Sequence, residues 1–353
     1  MRRGDRGSAA ESVSTGTPGL VLPQPYLLFL ADATEARFAK TAFGLRDWAG
    51  DKCIGEFGIG ATVTTGLPHM TPAEACEAGA RSLVIGVAGI GGSISEHWVP
   101  PLVEAMHAGL HIISGMHSRL GEVPELAEAA ERTGRRLIDV RFPPEGLPVA
   151  TGRKRSGKRL LTVGTDCALG KKYTALAIAN AFNERGIPCT FRATGQTGIM
   201  IAGSGIPMDS VVSDFAAGAA EALSPDAAPG HWDIIEGQGS LSHPIFAAVS
   251  LGLLHGSQPD VIVVCHEPGR TEMLGTASYA LPSIEETIEL NLRLGGRTNP
   301  HIRCAGISMN TSKLRPEEAE DYMAAEAERL GLPVADPMRG GQAFETLIES
   351  CLG

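Results

Sequence analysis

The sequence predicts an α/β protein built from two parallel-sheet domains: a Rossmann-like N-terminal domain followed by a P-loop NTPase-like parallel-sheet domain. Three observations carry this. Apolar, β-branched runs alternate with helical patterns along most of the chain, as βαβ units require. Midway, Leu160-Leu-Thr-Val-Gly164 runs through a glycine-bounded loop to Gly170-Lys171 and into an Ala-rich helical pattern over Tyr173–Phe182. Strand, glycine loop, Gly-Lys and helix, in that order, is the layout of a phosphate-binding loop. Just before it, Phe142–Pro148 and Arg153-Lys-Arg-Ser-Gly-Lys-Arg159 interrupt the alternation with proline, glycine and charge, which mark a linker. The boundaries that follow are a lead-in without structure over 1–22, a Rossmann-like domain over 23–145, a basic linker over 146–159 and the P-loop domain over 160–353.

The elements follow in order. Tyr26–Ala31 reads as the first strand, Thr34–Ala42 as a short helix and Lys52–Phe57 as a second strand. Thr71-Pro72-Ala-Glu74 combines an N-cap, a proline at the first helical position and a first-turn acid, so a helix begins there. Ser82–Ala88 is a continuous apolar run of the kind buried on both faces. The Gly89-Ile-Gly-Gly-Ser93 loop after it does not complete a dinucleotide fingerprint. A helix over Trp98–Ala108, a strand over His111–Gly115, a helix over Pro124–Glu131 and a strand over Arg136–Val140 close this domain.

Beyond the linker the alternation resumes. Strands are expected at Leu160–Gly164, Cys189–Ala193, Trp232–Glu236, Asp260–Cys265 and Arg303–Met309. Helices are expected at Tyr173–Phe182, Ser210–Ala222, His243–Leu254, Ser283–Leu294 and Arg315–Leu330. The basic run reads either as a solvated hinge or as cations lying beside the phosphates of the loop that follows.

Composition narrows the function. The net charge of −10 argues against a general nucleic-acid or anionic-membrane binder. No run approaches the ~20 apolar residues of a membrane span, and residues 1–20 lack the apolar segment of a signal peptide. The seven cysteines are scattered and form no Cys-x-x-Cys, which fits reduced thiols in a cytoplasm and predicts no metal site.

Ligands of open α/β sheets sit at the carboxyl ends of the strands. Reading those ends collects Gly164, Thr165, Asp166, Cys167, Ala168, Gly170 and Lys171 as a cradle for a phosphate-bearing cofactor, with Lys172, Tyr173 and Thr174 beside it. Loop amides and a helix N-terminus supply the donors and Lys171 a point charge. The cradle departs from the common pattern twice. The interval from Gly164 to Gly170 is one residue longer, and Lys172 stands where a Ser or Thr hydroxyl ordinarily ligates Mg²⁺. Thr174 substitutes only if the helix begins a turn later. Cys167, close to a helix N-terminus, is placed where a thiol pKa falls. Glu236, followed by Gly-Gln-Gly, is the first candidate for handling a proton or a metal, with His243 and His266 behind it. Arg192, Thr194, Gln196 and Thr197 form a polar strand end suited to a substrate, and Asn310 ends a later strand, where it suits a nucleobase. Each also has a plain reading as a turn, cap or solvated strand end.

Two resemblances sharpen this. Gly164-Thr-Asp-Cys-Ala-Leu-Gly-Lys171, Glu236-Gly-x-Gly and Gly306-x-x-x-Asn310 resemble dethiobiotin synthetase, with its extended phosphate loop and an amide facing adenine. Over nearly the whole chain, Leu83-Val-Ile-Gly-Val-Ala, Gly152-Arg-Lys-Arg-Ser-Gly, Gly164–Thr174, Arg192-Ala-Thr-Gly-Gln-Thr-Gly, Ile235-Glu-Gly-Gln-Gly-Ser-Leu and Leu251–Asp260 resemble a bacterial family long known only as a domain of unknown function. That family includes the D-glutamate N-acetyltransferase. The resemblance implies a Rossmann-like domain joined to a P-loop domain, acetyl-CoA as co-substrate, and acyl transfer to the amine of D-glutamate or a related D-amino acid in D-amino-acid catabolism. It also implies an enolase-superfamily racemase as pathway neighbour. Small-molecule substrates, no nucleic acid, no membrane and a homo-oligomer are the expected partners. Acetyl-CoA carries a pyrophosphate, so a phosphate loop can hold it without phosphoryl transfer. Its acidic acceptor would pair with Arg192 first and the basic linker second, and Glu236 would take the proton. Two alternatives stay open: a ligase or kinase of the dethiobiotin-synthetase type using ATP and Mg²⁺, and a non-enzymatic nucleotide sensor.

Overall fold

The computed structural model describes residues 19–87, 92–276 and 279–353. The expected lead-in lies mostly outside these, as do residues 88–91 of the glycine-rich loop. The first described element is a two-residue strand, β1 (Leu20–Val21).

The N-terminal domain comprises β2 (Tyr26–Ala31), α1 (Lys40–Ala49), β3 (Cys53–Gly58), α2 (Pro72–Glu77), β4 (Ser82–Ile85), α3 (Val99–Ala108), β5 (His111–Ser114), α4 (Pro124–Thr133) and β6 (Leu137–Asp139). Its five strands pair in parallel in the order β3-β2-β4-β5-β6. Every residue of β2 is buried, as expected of a central strand covered on both faces. Thr71 caps α2 through a reciprocal box with Glu74, as the sequence predicts.

The second domain carries β7 (Lys158–Gly164), α5 (Lys171–Glu184), β8 (Cys189–Arg192), α6 (Gln196–Ala202), β9 (Ser204–Gly205), α7 (Ser213–Leu223), β10 (Trp232–Ile235), α8 (Ala247–Ser257), β11 (Val261–His266), α9 (Ile284–Gly295), β12 (Arg303–Met309), α10 (Pro316–Leu330), β13 (Val334–Ala335) and α11 (Gly341–Leu352). Six parallel strands run in the order β13-β12-β11-β7-β10-β8. The phosphate loop therefore leaves a central strand, and Glu236 leaves its neighbour on the same edge of the sheet. No described helix is long and apolar enough to cross a membrane.

The first helix runs over Lys40–Ala49 and not over Thr34–Ala42, and three larger features also differ from expectation. The segment after β8 forms a seven-residue helix, α6, and that helix belongs to the other domain's core. Ile199, Met200 and Ile201 pack among β2, α1 and their neighbours. The Tyr26 hydroxyl donates to the Met200 carbonyl at 3.1 Å, and Lys52 Nζ to the Ile201 carbonyl at 3.0 Å. β1 then pairs antiparallel with β9 directly after α6. The two domains interlock. The last strand and helix, β13 and α11, also extend the sheet beyond what the apolar runs suggested.

The third difference concerns the basic run, which is solvated only at Arg153, Lys154 and Lys158 and does not lie beside the phosphate loop. Arg155 and Arg159 are buried, Arg159 completely. Arg155 donates to the Ser224, Gly256 and Ser257 carbonyls at 2.6–3.2 Å. Arg159 donates to the Arg155, Ser156, Ser224 and Pro225 carbonyls at 2.9–3.3 Å. These are the carboxyl ends of α7 and α8, where the helix dipoles favour a cation. Both arginines sit at the amino end of β7, and seven residues of strand, about 20 Å, separate that end from the phosphate loop. Replacing Arg159 with Met leaves several buried carbonyls without a donor and should lower unfolding free energy by about 3 kcal/mol. A urea titration checks this. Affinity for phosphate-bearing ligands should not change, whereas weakened binding at unchanged stability would return the run to the phosphates.

Candidate active site

Two cavities meet over the phosphate loop, sharing Leu169, Gly170 and Tyr173 in their walls. The first, about 360 Å³, lies between the domains: Asp47 and Trp48 of α1 face Tyr173, Thr174, Asn310 and Met338 across it. The Trp48 and Tyr173 rings stack with centroids 5.8 Å apart. The second, about 560 Å³, is lined by Cys167, Ala168, Lys171, Lys172, Glu236 and Gln238, with apolar walls from Phe246, Val249 and Leu274.

The loop between β7 and α5 is shaped from inside. Lys171 is buried and donates from Nζ to the Asp166 carbonyl at 2.7 Å. Burial pulls its pKa down. Asp166 is fully buried. Its Oδ2 accepts from Arg270 Nη1 at 3.0 Å and from the Leu274 amide at 2.8 Å, and Arg270 also donates to the Cys167 carbonyl. Asp166 thus ties the loop to the segment after β11 and lines neither cavity. Thr165 is likewise buried, its hydroxyl 3.1 Å from His266 Nδ1. Burial raises the Cys167 thiol above its ordinary value, contrary to the lowering expected near a helix N-terminus. The helix begins at Lys171, and Thr174 Oγ1 is 2.7 Å from Ser308 Oγ. That geometry does not let Thr174 take the place of the missing hydroxyl at position 172.

Glu236 is the buried acid of the site. Its Oε2 accepts from the Thr194 and Gly195 amides at 2.9 and 3.1 Å, while the Thr194 hydroxyl donates to the Glu236 carbonyl at 2.7 Å. Among the described residues no donor reaches Oε1. Burial raises the carboxyl pKa, against the lowering by the Thr194 amide, Lys172, the Gly195 amide and Lys171. Two glycines make the arrangement possible. A Cβ on Gly198 would stand 2.2 Å from Glu236 Oε2, and one on Gly237 would stand 1.6 Å from the Thr162 carbonyl. The glycines of Arg192-Ala-Thr-Gly-Gln-Thr-Gly and Glu-Gly-Gln-Gly leave space for one carboxylate and the strand beside it.

Other expected residues take different positions. His243 is fully buried; its Nε2 donates to the Leu274 carbonyl at 3.0 Å and its Nδ1 accepts from the Ile245 amide at 3.2 Å. It lines neither cavity and anchors the Leu274 segment. His266, bonded to Thr165, lines neither cavity, and burial lowers its pKa. Arg192 donates from Nε to the buried Asp233 at 2.7 Å. That pairing neutralises it, and it too lines neither cavity. Gln196 donates to both oxygens of Asp209, and Thr197 packs against Gly44 of α1. Asn310 borders the interdomain cavity. Sequence reasoning missed Arg270 and Trp48. Nothing in the sequence marks either, because each acts by reaching from another element.

Among the described residues, Asp166, Cys167 and His243 bring ligand-type atoms within 4.8 Å of one another. The guanidinium on Asp166 and the two occupied nitrogens of His243 oppose a cation there.

Replacing Gly198 with Ala should drive the Glu236 carboxylate off the Thr194 and Gly195 amides. The expected cost is about 2–3 kcal/mol of stability, measured by chemical denaturation. An unchanged midpoint would mean that the carboxylate is not held as described.

Residues 57–143 match the family described as a domain of unknown function with a Rossmann-like fold, DUF1611_N, and residues 148–346 its P-loop partner, DUF1611_C. Two curated relatives named D-glutamate N-acetyltransferase are similar over most of the chain. The one from Pseudoalteromonas sp. is 48% identical over 318 residues, 90% of this chain and 96% of its own length. The one from Tritonibacter scottomollicae is 50% identical over 322 residues, 91% and 97% respectively. The crystal structure of a DUF1611 family protein from Anabaena variabilis superposes with a TM-score of 0.78 at 31% identity, covering 93% of this chain and 99% of that one. A Rossmann-like domain interlocked with a P-loop domain, matched in sequence and in structure over nine-tenths of the chain, places this protein in the DUF1611 family, together with those two relatives.

Proposed function

We propose that this protein is an N-acetyltransferase that moves the acetyl group of acetyl-CoA to the amine of D-glutamate. The observation that supports it is the pair of cavities joined over a phosphate loop, one aromatic and one holding a buried acid. Coenzyme A has the same layout: a base, then a pyrophosphate, then an acylated arm. The loop amides and the start of α5 suit the pyrophosphate. The Trp48–Tyr173 stack and Asn310 suit the adenine. The arm then enters the larger cavity, where apolar Phe246, Val249 and Leu274 border the polar wall.

The chemistry needs an amine, and the acceptor's amine is protonated in water. Glu236 removes that proton through Oε1 while Oε2 stays on its two amides. The freed amine attacks the thioester carbonyl, the N–C bond forms, the C–S bond breaks, and the thiolate leaves and is protonated. A positioned base contributes roughly 10²–10⁴-fold, and backbone amides beside the thioester would stabilise the oxyanion. A carboxyl pKa raised by burial is a stronger base than an exposed glutamate once ionised, which suits this task. A cytoplasmic location, assembly of several copies and a racemase supplying the D-amino acid are parts of the same proposal.

Incubation with acetyl-CoA and D-glutamate should release one thiol for each N-acetylated product. Glu236→Gln should lower kcat by roughly 10²–10⁴-fold with coenzyme A affinity retained. The wild-type rate should rise with pH through a midpoint above the ordinary carboxylate range, because ionised Glu236 is the active form and its folded pKa is raised. Absence of thiol release across a panel of D- and L-amino acids would overturn the proposal.

A further inference from the structure

The charged groups that line the larger cavity divide into those already satisfied and those left open. Asp209 accepts from Gln196 at 3.0 and 3.1 Å and from Arg141 at 3.5 Å. Lys171 is spent on the Asp166 carbonyl at 2.7 Å. Two remain. Glu236 has one oxygen held and the other without a donor among the described residues. Lys172 forms no hydrogen bond or ion pair among the described residues; its Nζ rests 4.5 Å from the Tyr173 ring centroid. That ring stacks in turn on Trp48. A cation held over an aromatic face keeps its position without needing a carboxylate partner. Among the described residues the cavity therefore presents one open anion, just past β10, and one open cation, in the first turn of α5.

We propose that Glu236 and Lys172 together read the acceptor as a zwitterion, with the ammonium on Glu236 and a carboxylate on Lys172, which makes Lys172 the residue that selects an amino acid over a simple amine. This rests on the acyl-transfer reading and adds the acceptor's binding mode. It moves the carboxylate-binding role from Arg192, already paired with Asp233, to a side chain that forms no hydrogen bond or ion pair among the described residues. It also assigns position 172 a purpose apart from the phosphates, which have the loop amides and the start of α5. Burial lowers the Lys172 pKa and raises that of Glu236, and each charge partly offsets the shift of the other across the cavity.

The test compares the wild-type enzyme with Lys172→Met and Lys172→Arg. In the Met variant the KM for D-glutamate should rise roughly 10–100-fold, as loss of a charge-assisted hydrogen bond implies. The Kd for coenzyme A, measured by calorimetry, should stay within about twofold; retained binding also shows that the variant is folded. Lys172→Arg should recover most of the loss. D-glutamine identifies the carboxylate: the penalty persists with it if Lys172 holds the α-carboxylate and disappears if it holds the side-chain one. An unchanged acceptor KM, or a coenzyme A Kd that weakens as much as the acceptor KM rises, would overturn the inference. Failure of the wild-type enzyme to release thiol would instead overturn the acyl-transfer reading.

Discussion

The site depends on one buried carboxylate held by two backbone amides. Glu236 has little water to solvate it, so the Thr194 and Gly195 amides must do so. Those amides precede α6, and α6 is fixed at its far end in the core of the other domain through Ile199, Met200 and Ile201. The position of the carboxylate is therefore set by packing between the domains. This explains why a P-loop domain needs its Rossmann-like neighbour even though that neighbour adds no acid or base to the larger cavity. It lends a core to α6, and it lends Trp48 to the wall beside the phosphate loop.

Much of this was legible in the sequence and some was not, for physical reasons. Glycine-bounded turns after apolar strands report backbone geometry directly. The phosphate loop and the Glu236 turn therefore lie at the expected strand ends, and the core strands fall within a residue or two of their apolar runs, except β4, which stops at Ile85. Side-chain partners across elements leave no such trace. The run from Arg153 to Arg159 reads as solvated because charge is usually exposed, yet the carboxyl ends of α7 and α8 converge there and turn two arginines into buried caps. His243 and Arg192 look available in one dimension. In three, Leu274 and Ile245 occupy the first and Asp233 the second. The helix α6 was missed because Gly195 and Gly198 read as loop, and their smallness serves Glu236.

Position 172 shows how a phosphate loop can be kept while its chemistry changes. With a hydroxyl there, the loop would help hold a metal and a leaving phosphate. With Lys172, and with Thr174 turned to Ser308, the loop keeps its amides and loses that hydroxyl. In the proposed function the loop is a cradle that orients a phosphate-bearing donor, with the reaction at the neighbouring acid. The central claim is that this loop holds coenzyme A and cleaves nothing. Calorimetric titration of the protein with coenzyme A and, separately, with ATP and Mg²⁺, each in the presence of D-glutamate and with ADP assayed, tests it most directly. The account predicts saturable coenzyme A binding without added metal and no ADP. Mg²⁺-dependent ATP binding with D-glutamate-dependent ADP release, and no heat with coenzyme A, would contradict it.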